Sequence, residues 1–250
     1  MAKKFSLMNH KGGVAKTTSS LNIAAGFAKM EKKALLVDLD PQANLTQCLN
    51  FPKNSDKTIY EAMIGKSPLQ VFNVHKNLDI VISCINLVAA EVELLQEPGK
   101  DLILADLIKQ VDNNYDIIIF DCPPSLGLLT VNALSASDFV IVPVQTEGFA
   151  VQGMTEIDTI ITKIRTRLNP SLQIGGYLLT RYNQRLILHR NVKDYVANTY
   201  KDLVFKTIIR DNVTLAELSM IRSDVFSYQP RSNGAVDYMN LCKEIKKKFF

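Results

Sequence analysis

Two lysines and two glycines near the start of the chain have the spacing of a phosphate-binding loop. The segment runs Lys11-Gly12-Gly13-Val14-Ala15-Lys16-Thr17-Thr18. Glycines let successive backbone N–H groups turn toward phosphate oxygens, and a helix that begins here would add the positive end of its dipole. In such a loop Lys16 would contact the β- and γ-phosphates of a nucleotide, and the Thr17 hydroxyl would bind Mg²⁺. The spacing therefore indicates binding of a nucleoside triphosphate.

Three aspartates follow apolar runs that are typical of buried strands. Asp38 and Asp40 come after residues 35–37, and Asp121 comes after residues 117–120. A carboxylate just beyond a strand can orient the water that attacks a phosphoryl group, which is the role we predict for Asp40. Asp121 would bind Mg²⁺ or its waters, and Asp38 would support those waters or the loop. Asp40 would equally suit a helix N-cap, and the two roles are compatible.

The phosphate-loop pattern resembles the deviant Walker A box of the ParA/MinD/nitrogenase-iron-protein superfamily. That box reads Lys-Gly-Gly-x-x-Lys-Thr, with a signature lysine at the position of Lys11. The resemblance implies ATP and a nucleotide sandwich dimer in which Lys11 contacts the phosphates bound by the partner subunit. It also implies that Asp40, in the pattern Asp-x-Asp-Pro-Gln, positions the attacking water. Ala15 departs from the more common glycine, and its methyl group would crowd a loop that needs a glycine conformation.

Further segments resemble the ParA branch of this superfamily, namely residues 121–134, 143–147 and 227–235. ParA-type proteins bind ATP and Mg²⁺, form homodimers and coat nonspecific DNA, and a ParB-like centromere-binding partner stimulates their weak ATPase. The resemblance therefore implies a plasmid or chromosome segregation ATPase that is cytoplasmic and associated with the nucleoid. Residues 178–185 resemble the family segment near the adenine, where we predict a base contact from Asn183.

Short apolar runs alternate with helical patterns along the chain, which is typical of an α/β fold. We predict a P-loop NTPase fold, with a mostly parallel twisted sheet and helices on both faces. Ligands bind such sheets beyond the carboxyl ends of the strands, where the motifs lie. The predicted strands are Phe5–Met8, Ala34–Val37, Leu78–Ile82, Ile117–Phe120, Phe139–Val144 and Ile174–Leu179. The predicted helices are Lys16–Met30, Val88–Gln96, Leu102–Val111, Leu128–Leu134, Val151–Leu168, Asn191–Tyr200 and Ala235–Lys248.

The composition excludes several classes of protein. With 47% hydrophobic and 22% charged residues the chain is typical of a globular protein and not of a disordered one. No apolar run reaches the roughly 18 residues that cross a bilayer, and the four scattered cysteines form no CxxC pair. No repeat or linker divides residues 1–250, so we expect a single ATPase domain. Because the phosphate loop begins at Lys11, we expect no N-terminal helix-turn-helix extension.

Charge is distributed unevenly along the chain. Residues 1–160 contain 13 lysines, no arginine and 18 acidic residues, whereas residues 161–250 contain 16 basic and 7 acidic residues. A basic segment suits an anionic partner, because Lys and Arg neutralise DNA phosphates without reading bases. Ordinary solubility charges would produce the same asymmetry. The candidates for contact with DNA are Arg210, Arg222, Arg231, Lys243, Lys246, Lys247 and Lys248.

A MinD-like membrane-associated positioning ATPase is the main alternative function. Its support is the basic segment 243–250, which ends in two aromatic residues as membrane-surface helices can. The apolar residues of this region, such as Leu241 and Ile245, equally fit a C-terminal helix that packs on the core. The sequence Asp-Cys-Pro-Pro favours ParA, so we do not expect membrane binding. A metabolic P-loop ligase or kinase would need neither Lys11 in trans nor a basic C-terminal surface.

Overall fold

Seven strands form one sheet in the computed structural model, which describes residues 1–52, 55–147 and 150–250. The strands are β1 (Lys3–Leu7), β2 (Ala34–Asp38), β3 (Phe72–His75), β4 (Leu78–Val81), β5 (Ile117–Asp121), β6 (Phe139–Gln145) and β7 (Gln173–Thr180). Their order is β3-β4-β2-β5-β1-β6-β7, and β3 pairs antiparallel with β4 while the other neighbours are parallel. The carboxyl ends of β1, β2 and β5 therefore meet at one edge of the sheet.

Helices cover both faces of the sheet. Within the described residues they are α1 (Lys16–Lys29), α2 (Asn44–Cys48), α3 (Ile59–Met63), α4 (Leu87–Glu93), α5 (Ile103–Lys109), α6 (Leu128–Ala136), α7 (Ala150–Arg167), α8 (Ile187–Tyr200), α9 (Val213–Ile221), α10 (Val225–Tyr228) and α11 (Asn233–Phe249). One core lies between the sheet, α1 and α11, and a second lies under α5, α6 and α7. Ile119 of β5 belongs to the first core and Phe120 to the second, because successive strand residues face opposite sides. Coverage on both faces explains the uninterrupted apolar strands.

The predicted α/β class is confirmed. Six strands lie where the apolar runs predict them, with ends that differ by one or two residues. The sequence prediction missed β3 and the short helices α2, α3, α9 and α10, and α8 begins at Ile187 instead of Asn191. A usable signal existed for α3, because Thr58 and Glu61 form a capping box. β3 gave little signal because its residues are exposed or partly exposed at the sheet edge.

The C-terminal helix ends against the sheet. The ring of Phe249 lies 4.4 Å from that of Phe139 and 5.4 Å from that of Phe5, measured between centroids. Lys248 Nζ donates to the carbonyl of Gly175 at 2.9 Å. This packing confirms the interpretation of the tail as a helix docked on the core. Among the helices of the described residues, none has the length and apolar character required to cross a bilayer.

Candidate nucleotide-binding site

The phosphate loop joins the end of β1 to the start of α1. Gly13 has a φ of 76°, and a Cβ at this position would meet no atom within 4 Å, so this part of the loop faces open space. Ala15 has φ 65° and ψ 34°, a left-handed conformation that costs an alanine about 1 kcal/mol relative to glycine. Thr180 at the end of β7 fixes the loop by donating to the carbonyl of Val14 at 3.1 Å. The loop thus uses the glycine-favouring conformation, and Ala15 stores strain at the first turn of α1.

The two lysines of the loop lie in different surroundings. Lys16 is 8% exposed, its Nζ donates to the carbonyl of Lys11 at 3.1 Å, and burial lowers its pKa. Lys11 Nζ instead lies 2.6 Å from Oε2 of Glu147, and the Lys11 side chain is 38% exposed. This hydrogen bond lowers the pKa of Glu147, whose other carboxylate oxygen accepts from Gln145 at 2.6 Å. Lys16 is therefore held inside the loop, whereas Lys11 is held at the surface by a carboxylate beyond β6.

Asp38 and Asp121 are opposite each other in the register of β2 and β5, and both are fully buried. Burial raises the pKa of both carboxyls, and the charge of Asp121 raises that of Asp38 further. Asp38 accepts from the backbone N–H of Asp40 at 3.1 Å and from the N–H and hydroxyl of Thr46 at 2.9 and 2.7 Å. These bonds hold the segment between β2 and α2, and the functional role of Asp38 stays a prediction.

Asp121 keeps one carboxylate oxygen free for a ligand. Its Oδ1 accepts from Ser20 Oγ at 2.9 Å, and its buried Oδ2 has no hydrogen-bond donor among the described residues. The nearby Thr17 side chain lowers the pKa of this carboxyl, against the effect of burial. Mg²⁺ prefers oxygen ligands and retains waters and phosphate oxygens, so it needs few protein groups. The donor set fits Mg²⁺ held by Thr17 and Asp121, directly or through water.

Asp40 lies at the rim of the same site, between β2 and α2. Its side chain is 9% exposed, and its Oδ1 accepts from the backbone N–H of Gln42 at 2.9 Å. Ser83 fixes the Asp40 backbone by donating to its carbonyl at 2.8 Å. Asp40 and Lys16 line the same cleft, and the charge of Asp40 raises the pKa of the Lys16 ammonium against the effect of burial. This position suits a group that orients water beside bound phosphates.

A cleft of about 560 Å³ opens above the loop, a volume typical of small-ligand pockets. One wall consists of the predicted residues Gly12, Gly13, Ala15, Lys16, Thr17, Thr18 and Asp40. Val14 is buried beneath the loop, and Lys11 does not line the cleft. The opposite wall was not predicted from sequence and includes Arg181, Ile209, Asp211, Asn212 and Leu215. It also includes Arg210, which the sequence analysis predicted as a contact with DNA. The available signal was Asn212, which caps α9 by accepting from the N–H of Thr214 at 2.8 Å.

Asn183 lines a neighbouring cavity of about 630 Å³ and not the cleft itself. Its Oδ1 accepts from the N–H of Arg185 at 3.0 Å, and its own N–H donates to Nδ1 of His189 at 3.0 Å. Asn183 thus stabilises a turn at the start of α8. The two cavities share Arg210 and Asp211, so they adjoin. The base contact at Asn183 stays a prediction.

The seven candidates for contact with DNA differ in their surroundings. Arg210 forms a two-pronged ion pair with Asp237, at 2.7 and 2.9 Å. Arg222 donates to an asparagine side chain at 2.9 Å, and Lys248 bonds the carbonyl of Gly175. All seven are exposed, but Arg231, Lys243, Lys246 and Lys247 have no side-chain hydrogen bond or ion pair among the described residues. These four are the candidates most available to a polyanion.

Comparison with known proteins identifies the family. A family model described as "AAA domain" matches residues 2–174. The chain is 39% identical to the sporulation initiation inhibitor protein Soj of Bacillus subtilis over 251 residues. The matched region covers 98% of each protein. It is 38% identical to the chromosome partitioning protein ParA of Myxococcus xanthus over 247 residues. The matched region covers 97% of this chain and 87% of that protein.

Solved structures share the fold. Cobyrinic acid a,c-diamide synthase from Mycobacterium smegmatis, with bound ADP and magnesium, has a TM-score of 0.86 at 31% identity and covers 97% of this chain and 93% of its own. A putative plasmid partition protein from Borrelia burgdorferi, bound to AMPPNP, has a TM-score of 0.84 at 25% identity and covers 99% of each chain. Fold and site therefore define a P-loop NTPase. Within that class, the near full-length relatives show that the chain belongs to the ParA/Soj family of partition ATPases.

Proposed function

We propose that this chain is a weak, partner-stimulated ATPase that forms a dimer around ATP and Mg²⁺. The observation that carries the proposal is the position of Lys11. Its ammonium lies outside the cleft that contains Lys16, and it is paired at the surface with Glu147. A partly exposed ion pair of this kind contributes about 1 kcal/mol or less, so Lys11 can exchange Glu147 for a more strongly negative group.

The triphosphate in the cleft of a second subunit would supply that group. ATP carries a γ-phosphate, and so more negative charge in total, that ADP lacks, so a contact of Lys11 with the γ-phosphate would favour the ATP-bound dimer. Within its own cleft Lys16 would hold phosphate oxygens, Thr17 and Asp121 would hold Mg²⁺, and Asp40 would orient water. Bound Mg²⁺ would neutralise charge that develops on the phosphate oxygens.

We further propose that the dimer binds nonspecific DNA, and that a ParB-like partner drives its release during plasmid or chromosome segregation on the nucleoid. The exposed lysines of α11 support this assignment, as do the relatives named for chromosome partitioning. The relatives named Soj and ParA are also more similar to the chain than the diamide synthase is, at 38–39% against 31% identity. The MinD-like alternative is not favoured, because Lys248 and Phe249 are engaged in packing against the sheet.

Light scattering with ATP, with ADP and without nucleotide tests whether the chain dimerises. A DNA gel shift and liposome flotation, run side by side, test whether the chain binds DNA or membranes. We expect a dimer and a shift of the DNA only when ATP is present. Lys11→Ala should prevent dimerisation while ATP still binds, whereas Lys29→Ala, which removes an exposed lysine from the end of α1, should change neither property. A monomer at saturating ATP, or binding to liposomes without binding to DNA, would contradict the proposal.

A further inference from the structure

Contacts with β6 hold both ends of the ion pair between Lys11 and Glu147. Lys11 Nζ lies 2.6 Å from Oε2 of Glu147, whose Oε1 accepts from Nε2 of Gln145 at 2.6 Å. On the loop side, the backbone N–H of Lys11 donates to Oδ1 of Asn9 at 2.9 Å, and Nδ2 of Asn9 donates to the carbonyl of Pro143 at 2.7 Å. The fold thus provides a defined position for the Lys11 ammonium outside the nucleotide cleft.

The surroundings of this ion pair allow it to break. Its distance is short for a charge-assisted hydrogen bond, which favours the paired state in the free chain. Both side chains are nevertheless partly exposed, so water and salt screen the attraction between them. The pair is therefore formed by default and yields to a ligand that carries more negative charge than one carboxylate.

Glu147 is ionised while it holds Lys11. The hydrogen bond with Lys11 lowers the pKa of the Glu147 carboxyl against the effect of burial, and the positive charges of Lys11 and Arg181 lower it further. A negative carboxylate beside Lys11 would repel phosphates that approach the same ammonium. Glu147 and a triphosphate are therefore alternative ligands of Lys11.

We propose that Glu147 is a positioning residue that competes with the partner's nucleotide for Lys11 and so restrains dimerisation. The inference rests on the proposed function, because it takes from it the contact of Lys11 with phosphates bound by a second subunit. A symmetric dimer contains two such contacts, so two ion pairs must break whenever a dimer forms. One exposed ion pair changes an equilibrium by at most about fivefold, so two pairs change the dimer dissociation constant by up to about 25-fold.

Sedimentation of the full chain with a saturating non-hydrolysable ATP analogue tests this inference. Glu147→Gln should lower the dimer dissociation constant by about 3- to 25-fold, and added salt should reduce the difference from the wild type. Glu147→Asp keeps the negative charge and should stay near the wild-type value. The matched control is Glu31→Gln, which removes the carboxylate of an exposed ion pair with Lys76, of 3.1 Å, beyond the other end of α1. This control should leave the dimer dissociation constant unchanged.

Two further measurements separate competition for Lys11 from a general effect of charge. The double variant Lys11→Ala with Glu147→Gln should dimerise no better than Lys11→Ala alone, because Glu147 acts through Lys11. Amine labelling of the nucleotide-free chain, read by mass spectrometry, needs neither ATP nor a dimer. Lys11 should be labelled faster in Glu147→Gln than in the wild type, whereas the exposed Lys29 should be labelled equally in both.

Weaker dimerisation of Glu147→Gln would overturn the inference, because Glu147 would then orient Lys11 toward its ligand instead of withholding it. An unchanged dissociation constant, an equal gain in Glu31→Gln, or a gain that persists without Lys11 would also overturn it. Thermal melts check that the variants fold. A wild-type chain that forms no dimer with the analogue would overturn the proposed function as well. A wild-type dimer that does not respond to Glu147→Gln would overturn this inference alone.

Discussion

The nucleotide cleft and the basic face of α11 hold their charges in opposite ways. Around the cleft, Asp38 and Asp121 are fully buried and Lys16 is 8% exposed, and each is bonded to a defined partner. On α11, Lys243 and Lys246 are exposed to solvent. Burial requires partners that offset lost hydration and so fixes a charge in place, whereas an exposed lysine can move. The cleft therefore suits one ligand in one geometry, and the surface suits a polyanion of variable shape.

Two contacts connect these regions. Tyr238 of α11 shares a hydrogen bond of 2.9 Å with Ser19 in the first turn of α1. The neighbouring Asp237 holds Arg210, which lines the cleft. These contacts join α1 and the cleft lining to α11. The following variants test whether the two regions nevertheless have separate roles.

The largest effect is expected from Lys16→Ala. Because the buried ammonium is the main positive charge inside the loop, its removal should lower ATP affinity at least about 100-fold, as measured by calorimetry. Because the expected DNA shift depends on ATP, Lys16→Ala should lose that shift as well. The control Lys29→Ala alters the exposed end of the same helix and should bind ATP normally. Unchanged ATP affinity in Lys16→Ala would remove the basis for the cleft assignment.

Asp40→Ala should separate binding from turnover. Loss of the water-orienting carboxylate should slow hydrolysis about 100- to 1,000-fold while ATP affinity stays near that of the wild type. The ATP dimer should then remain on DNA, which a gel shift would detect. Asp56→Ala, at an exposed aspartate of the following loop, serves as the matched control. Hydrolysis at the wild-type rate would refute the role assigned to Asp40.

Neutralising the exposed lysines of α11 should affect DNA alone. Changing Lys243, Lys246 and Lys247 to Gln should weaken DNA binding roughly tenfold and reduce its salt dependence, by about 0.9 in log–log slope for each lost phosphate contact. ATP affinity should be unaffected. The control changes three exposed lysines of the acidic part, Lys57, Lys66 and Lys109. An equal loss in the control would mean that net charge matters and not this surface.

The smallest effect is expected from Ala15→Gly. Relief of the left-handed strain should raise the free energy of unfolding by about 0.5–1 kcal/mol in denaturant titrations. Ala25→Gly, in the interior of the same helix, should lower it by about 1 kcal/mol. Destabilisation by both changes would show that the phosphate loop does not strain Ala15.

The candidate functional residues at the ends of the strands could be predicted from sequence, because each motif consists of residues that are adjacent along the chain. The phosphate loop, Asp40 and Asp121 each follow an apolar run, and a parallel sheet brings such ends to one edge. The opposite wall of the cleft had no such signal. Ile209 and its neighbours reach the cleft because residues 204–210 run beside β7, through bridges that join Tyr177 to Val204 and Tyr182 to Arg210.

Long-range pairs and short helices lay beyond sequence reasoning. Lys11 and Glu147 are 136 residues apart, and nothing local indicates their ion pair. The helices α2 and α10 have five and four residues, which is too short for stability without tertiary contacts. Charge counts also could not separate Lys248 from its neighbours. Its ammonium lies 5.6 Å from the centroid of the Phe205 ring and bonds the carbonyls of Gly175 and Asp202, contacts that depend on tertiary structure.

The most direct test of the account mixes two inactive variants, Lys11→Ala and Asp40→Ala. If Lys11 acts on the nucleotide of the partner subunit, a mixed dimer contains one complete site, with Asp40 from one subunit and Lys11 from the other. We predict that an equal mixture recovers ATPase activity, with about a quarter of the wild-type rate as the value for random pairing, although each variant alone is inactive. A mixture that stays as inactive as its components would contradict the account, because Lys11 would then act within its own subunit.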